Sequence, residues 1–176
     1  MEKQVNKKTR VTIYIIFTII LIIGLFFYFE RNKPEDPLNA TYIIENQQIL
    51  LKDGFSEIEV IPGSASKQIT SVLWTPIEGN LNSDSFNDYA MIITQNSGGS
   101  GTFYYVVAGL GSSEGVIGTN GIFLGDRISP ENISIENKKI LINYAERKEG
   151  DPMTVQPSVG VSKYLVVENE QLIVEE

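Results

Sequence analysis

The chain predicts a mainly β protein: a single antiparallel β-rich domain, with α+β as the alternative, preceded by one transmembrane helix. Three observations carry that reading. Residues Val11 to Phe29 run for 19 positions without a charge, close to the ~20 apolar residues that cross a hydrocarbon core. Beyond that run, the readable segments alternate with period two or are short apolar stretches rich in β-branched and aromatic residues, which is the pattern of strands. Between them stand Asp53-Gly54, Pro62-Gly63, Asn137-Lys138 and Asn169-Glu170, pairs suited to tight turns. No repeat of solenoid period is visible.

The amino-terminal part divides into a head (1–10), the transmembrane helix (11–29) and a linker (30–38), ahead of the β-rich domain (39–176). The head carries Lys3, Lys7, Lys8 and Arg10 against Glu2. A basic excess on that side keeps the head cytoplasmic and sends the large domain across the membrane. A cleavable signal peptide is the rival, but the apolar run ends in Phe26, Phe27, Tyr28 and Phe29 rather than in a small-x-small site. Tyr14 and Tyr28 would lie at the two headgroup levels. Pro34 and Pro37 make the linker short, stiff and extended.

The strands are predicted in order. Thr41 to Glu45 and Gln48 to Lys52 form a hairpin around Asn46-Gln47, followed by strands at Glu57 to Ile61 and Gln68 to Trp74. Tyr89 to Gln95 and Thr102 to Leu110 are apolar on both sides, so they are expected at the middle of the sheet. Ile133 and Ile135 answer Ile140 and Ile142 across Asn137-Lys138, and Lys163 to Val167 answers Gln171 to Val174 across Asn169-Glu170. Ser56 to Ser71 is the segment where a short helix would fit.

Composition excludes much chemistry. The chain has no histidine and no cysteine, which removes imidazole bases, His-dependent triads, thiol nucleophiles, thiolate metal sites and disulfides. Of 14 Lys plus Arg and 22 Asp plus Glu, four basic and one acidic residue lie in the head, leaving a net charge of −11 beyond it. Nucleic acid and anionic membrane surfaces are poor partners for such a domain, whereas cations and basic ligands suit it. Carboxylate chemistry and oxygen-ligated Ca²⁺ stay open.

The sharpest local pattern runs from Gly79 to Asp88 (GNLNSDSFND). Oxygen donors from Asn80, Asn82, Asp84, the Phe86 carbonyl and Asp88 stand at alternate positions, as a Ca²⁺ loop requires. It resembles the D-x-D-x-D-G-x-x-D loop that opens strands in FG-GAP repeats of integrin-like propellers, with Asn80 in place of an acid and Ser85 in place of glycine. The alternative is a turn whose Asx side chains bond their own backbone. Gly98 to Gly101 lacks the lysine and the following helix of a nucleotide loop, and Gly109, Gly111 and Gly115 lack the dinucleotide spacing, so both read as turns. Ser64 and Lys67 have the Ser-x-x-Lys spacing of a serine nucleophile and its base, without a helix after them. Asp126, Arg127, Glu146 and Arg147 near strand ends read as structural ion pairs. Asn39 and Asn132 open glycosylation sequons by pattern.

From Asn39 onward the chain resembles a family of bacterial secreted or membrane-anchored β-rich domains of no assigned function. The resemblance is carried by NATY (Asn39 to Tyr42), PGSASK (Pro62 to Lys67), GNLNSDSFNDYAMIITQNSGGSGTFYYV (Gly79 to Val106), GTNGIFLGDRI (Gly118 to Ile128) and DPMTVQPSVGVSKY (Asp151 to Tyr164). In that family the long block reads closer to GDLNGDGxxDAAVILTQ, from which Asn80, Ser83 and Ser85 depart. The resemblance implies an extracytoplasmic β-rich module and no catalytic residue. The functional expectation is thus a single-pass membrane protein whose outer domain binds an envelope polymer, peptide or envelope protein without catalysis. A His-free hydrolase using Asp84, Asp88 and Asp126 is one alternative, and a structural spacer in a membrane complex is another.

Overall fold

The computed structural model describes residues 7–31 and 36–175, with side chains of the helix given for 12–25. Two compact units divide the chain, Met1–Pro34 and Glu35–Glu176.

The first unit contains α1 (Lys7–Arg31), 25 residues long, or about 37 Å at 1.5 Å per residue. Its described apolar side chains are all exposed, Phe17 and Tyr14 at 70% and 71%, and Thr18 Oγ1 donates back to the Tyr14 carbonyl at 2.7 Å. Among the described residues, no helix is long and apolar enough to cross a membrane. The described side chains cover only 12–25 of the expected span 11–29. Residues 1–6 of the expected head and 32–35 of the expected linker lie outside the described residues.

The second unit is built from antiparallel strands. A 3₁₀ turn, Pro37–Asn39, opens it, with the Asp36 carboxylate accepting from the Leu38 N–H at 2.9 Å. Pro37 is buried and its carbonyl accepts from the Tyr42 hydroxyl at 2.8 Å. Residues 36–38, expected as linker, therefore belong to the domain. Next comes a hairpin, β1 (Thr41–Ile44) and β2 (Gln47–Leu50). Its two-residue loop is Glu45-Asn46, one position earlier than expected, with both residues at positive φ as the favoured hairpin turn demands.

The central sheet has seven strands: β3 (Phe55–Glu59), β4 (Lys67–Val72), β5 (Ile77–Gly79), β6 (Asp88–Asn96), β7 (Phe103–Ser112), β8 (Gly115–Gly118) and β9 (Ile122–Asp126). β6 and β7 pair along seven residues from Tyr89↔Gly109 to Gln95↔Phe103. The outer edge of β6 is shared end to end by β4 and β5, and that of β7 by β8 and β9. The segment Ser56 to Ser71 thus forms paired strands rather than a helix, because Ser56 and Ile58 alternate inward opposite Thr70 and Gln68. Gly109 and Gly111, expected in turns, lie within β7. Their lack of a side chain is used: a Cβ on Gly109 would meet Val116 Cγ1 at 2.8 Å and the Tyr42 hydroxyl at 3.0 Å.

A meander follows, with β10 (Ser129–Glu136), β11 (Lys139–Glu146), β12 (Val159–Glu168) and β13 (Gln171–Val174) paired in that order. Asn137-Lys138 and Asn169-Glu170 close two of its hairpins, all four residues at positive φ.

The period of two divides the core between two faces of β6 and β7. Ala90, Ile92, Val106 and Ala108 pack with Ile140, Ile142, Tyr144 and Leu165 of the meander. Met91, Ile93, Tyr105 and Val107 face the other way and pack with Tyr42, Ile44 and Ile49 of the hairpin. The domain is thus three layers, hairpin, sheet and meander, and its middle strands are apolar on both sides because both sides are covered. Asn120 ties the layers, its amide exchanging bonds of 2.9 and 2.8 Å with the Leu172 backbone.

Candidate functional site

The loop from Asn80 to Asp88 joins β5 to β6 and closes on itself. Asn80 Oδ1 accepts from the Ser83 N–H at 2.8 Å, which holds Ser83 at φ +72°. Asn82 Oδ1 accepts from the Asp84 N–H at 3.0 Å, and the Asp84 carboxylate accepts from the Phe86 N–H at 2.8 Å and the Asn82 amide at 2.7 Å. These are Asx turns in series. Asp88 is fully buried. Its Oδ2 accepts from the Leu81 N–H at 2.6 Å and its Oδ1 from the Gly111 N–H at 3.1 Å.

Each side-chain oxygen donor of the expected Ca²⁺ set, Asn80, Asn82, Asp84 and Asp88, is thus engaged by hydrogen bonds within the protein. A hard cation takes six to eight oxygens from carboxylates, amide and backbone carbonyls and water. Here the loop offers two carboxylates, one of them turned into the core to satisfy backbone amides of two different segments. Among the described residues, no group of three or more acids is gathered to hold a metal. Sequence reasoning placed Asp88 as the last ligand and missed its structural role. Its position at the start of a doubly buried strand was the available signal.

The sequence motifs GGSGTFYY, LGDRI and DPMTVQPS come together elsewhere, at one end of the domain. A bulge in β9 begins it: Tyr104 pairs with Gly125 and Tyr105 with Phe123, leaving Leu124 unmatched. Gly125 takes φ +152°, and a Cβ there would meet Ile128 Cγ2 at 2.7 Å. A second bulge follows in β10 between Pro130 and Asn132. Bulges bend a strand and re-aim its side chains, and between these two stand Asp126 and Arg127. Arg127 sits at φ +49°, a backbone region that long side chains seldom adopt.

Hydrogen bonds lock this corner to the Gly98–Gly101 hairpin. The Thr102 N–H donates to Asp126 Oδ1 at 2.9 Å, while the Arg127 N–H donates to the Thr102 carbonyl at 2.7 Å. Asn96 holds the glycine loop from inside, donating to the Gly101 carbonyl at 2.8 Å and accepting from the Gly98 N–H at 2.7 Å. Arg127 Nη2 pairs with Asp126 Oδ2 at 2.8 Å. The Arg127 guanidinium, with help from the Thr102 amide, holds the Asp126 carboxyl below its ordinary range.

Arg147 follows the end of β11 and was expected to form ion pairs. It bonds carbonyls instead: Nε to Val155 at 2.6 Å and Nη1 to Arg127 at 2.8 Å. It thereby pins the 151–158 loop against the bulge. The result is a cleft of about 350 Å³ with Thr102, Tyr104, Arg127, Ser129, Arg147 and Gln156 among its walls. Among the described residues, Arg127 Nη1 and Arg147 Nη2 make no hydrogen bond. The arrangement can bind and orient a polar ligand; it gathers no nucleophile with a base.

The remaining expected groups are structural. Ser64 Oγ donates to the Ser66 carbonyl at 3.1 Å and Lys67 pairs with Glu59 at 3.2 Å, so the Ser-x-x-Lys spacing makes no nucleophile pair. Asn39 Oδ1 accepts from the Asp53 N–H at 3.0 Å, and Asn132 Oδ1 from the Asn143 amide at 2.8 Å. Asp84, Asp88 and Asp126 occupy separate hydrogen-bond networks. No family model matches the chain, and neither a curated protein nor a solved structure matches it.

Proposed function

We propose that the chain is a single-pass membrane-anchored module whose β-rich domain lies outside the cytoplasm and binds an envelope component without catalysis. The observation that carries the binding role is the convergence of three loops on one polar cleft, built by two bulges and a strained arginine rather than by regular strand ends. Sites on loops held by a rigid scaffold are the usual place for recognition, and a polar cleft of this size suits a small ligand. The hydrolase alternative has less support, since Asp88 and Asp126 are each committed to backbone amides. Anchorage rests on the uncharged run Val11 to Phe29 and on the basic excess before it.

Protease added to intact, wall-stripped cells tests the orientation. The expected result is loss of the β-rich domain with retention of an epitope tag placed before Met1. Protection of the domain until the membrane is permeabilised would overturn the outward orientation.

A further inference from the structure

We propose that the cleft between Arg127 and Arg147 binds the carboxylate of an acidic sugar; this rests on the binding-module reading above. Both guanidiniums are held in place, Arg127 by Asp126 and Arg147 by the Val155 and Arg127 carbonyls. Each keeps one terminal nitrogen without a hydrogen bond among the described residues. Asp126 already occupies the Nε and Nη2 of Arg127, so each arginine has one terminal nitrogen left to donate, and a carboxylate accepts such charge-assisted bonds on its two oxygens. Asp126 offsets one of the two arginine charges, and the single positive charge that is left balances a carboxylate but not a phosphate, whose charge is nearer −2.

The other walls decide what carries the carboxylate. Thr102, Tyr104, Ser129 and Gln156 offer hydroxyl and amide groups that both donate and accept, which suits a ring bearing several hydroxyls. The volume of about 350 Å³ is near the lower end for small-ligand sites, sufficient for one ring. The acidic balance of the domain does not oppose this: Asp126 offsets Arg127, the charge of Arg147 acts at contact distance, and carboxylates beyond ~8 Å are screened at physiological salt.

The test uses the full chain in non-ionic detergent, titrated with glucuronate, glucuronamide, glucose, N-acetylalanine and inorganic phosphate. Binding is followed by calorimetry and by the amide resonances of Thr102 and Val155. Saturable binding of glucuronate is expected, with glucuronamide and glucose at least about tenfold weaker, the loss given by one charge-assisted hydrogen bond. Arg127→Gln should weaken glucuronate at least about tenfold as well. Should that variant fail to fold, Gln156→Ala, outside the ion pair, is expected to weaken glucuronate without altering the melting temperature.

N-acetylalanine or phosphate binding more tightly than glucuronate, with dependence on Arg127, would overturn the acidic-sugar assignment and leave the binding module standing. No saturable binding of any probe would overturn the assignment and also count against the cleft as the module's ligand site. Glucuronate binding unaffected by both variants would overturn the location.

Discussion

The Asp88 carboxylate accepts the Gly111 N–H at 3.1 Å inside the domain, joining the loop before β6 to the far end of β7. Its other oxygen accepts the Leu81 N–H. Replacing Asp88 with Ala removes both bonds and leaves two backbone donors facing a fully buried site, at a cost of about 3 kcal/mol. Urea unfolding of Asp88→Ala should show the midpoint lowered accordingly. Asp84→Ala, on the exposed side of the same loop, should cost about 1 kcal/mol through the lost turn bonds. Equal losses in the two variants would contradict the division of roles.

Calcium follows from the same geometry. With Asp88 engaged by two amides, millimolar Ca²⁺ is expected to leave the melting temperature of the full chain unchanged. A bound ion at ~100 times its dissociation constant would add ~2.7 kcal/mol, a rise of several degrees. Such a rise, abolished by Asp84→Ala, would restore the loop as a cation site.

The hairpin layer is held by a glycine. A Cβ at Gly118 would run into the Thr41 carbonyl and meet Tyr42 Cδ1 at 2.7 Å. Gly118→Ala should therefore push β1 away from β8 and destabilise by about 2 kcal/mol, as overpacking does. At Gly99 a Cβ meets nothing within 4 Å, so Gly99→Ala should change stability by less than about 0.5 kcal/mol. Denaturant midpoints of the two variants check the contrast.

Acid should act on the bulge. The folded state holds Asp126 ionised more readily than the unfolded chain does, chiefly through Arg127. Its contribution is complete above the ordinary aspartate value of ~3.9 and is lost as pH falls through the lowered folded value. The gap in urea midpoint between the natural protein and Asp126→Asn should be constant from neutrality to about pH 5 and should narrow as pH falls below ~4. A gap independent of pH throughout would assign Asp126 a purely neutral role.

What the sequence determined by itself is local and periodic. Alternation assigned most strands, and Asn137-Lys138 and Asn169-Glu170 marked turns because their hairpins need positive φ in both loop residues. The apolar runs at β6 and β7 announced strands covered on both sides. The short strands β5, β8 and β9 escaped, since three to five residues carry too little periodicity to be read. Only the tertiary structure decided which oxygens of the Asx loop turn inward and that Arg127 and Arg147, twenty residues apart, share one cleft. The reason is physical: a pattern of period two states which side chains share a face, while the partner of that face is chosen by packing and by backbone groups distant in sequence. For Asp88 the deciding partner is the amide of Gly111, and for Arg147 it is the carbonyl of Arg127.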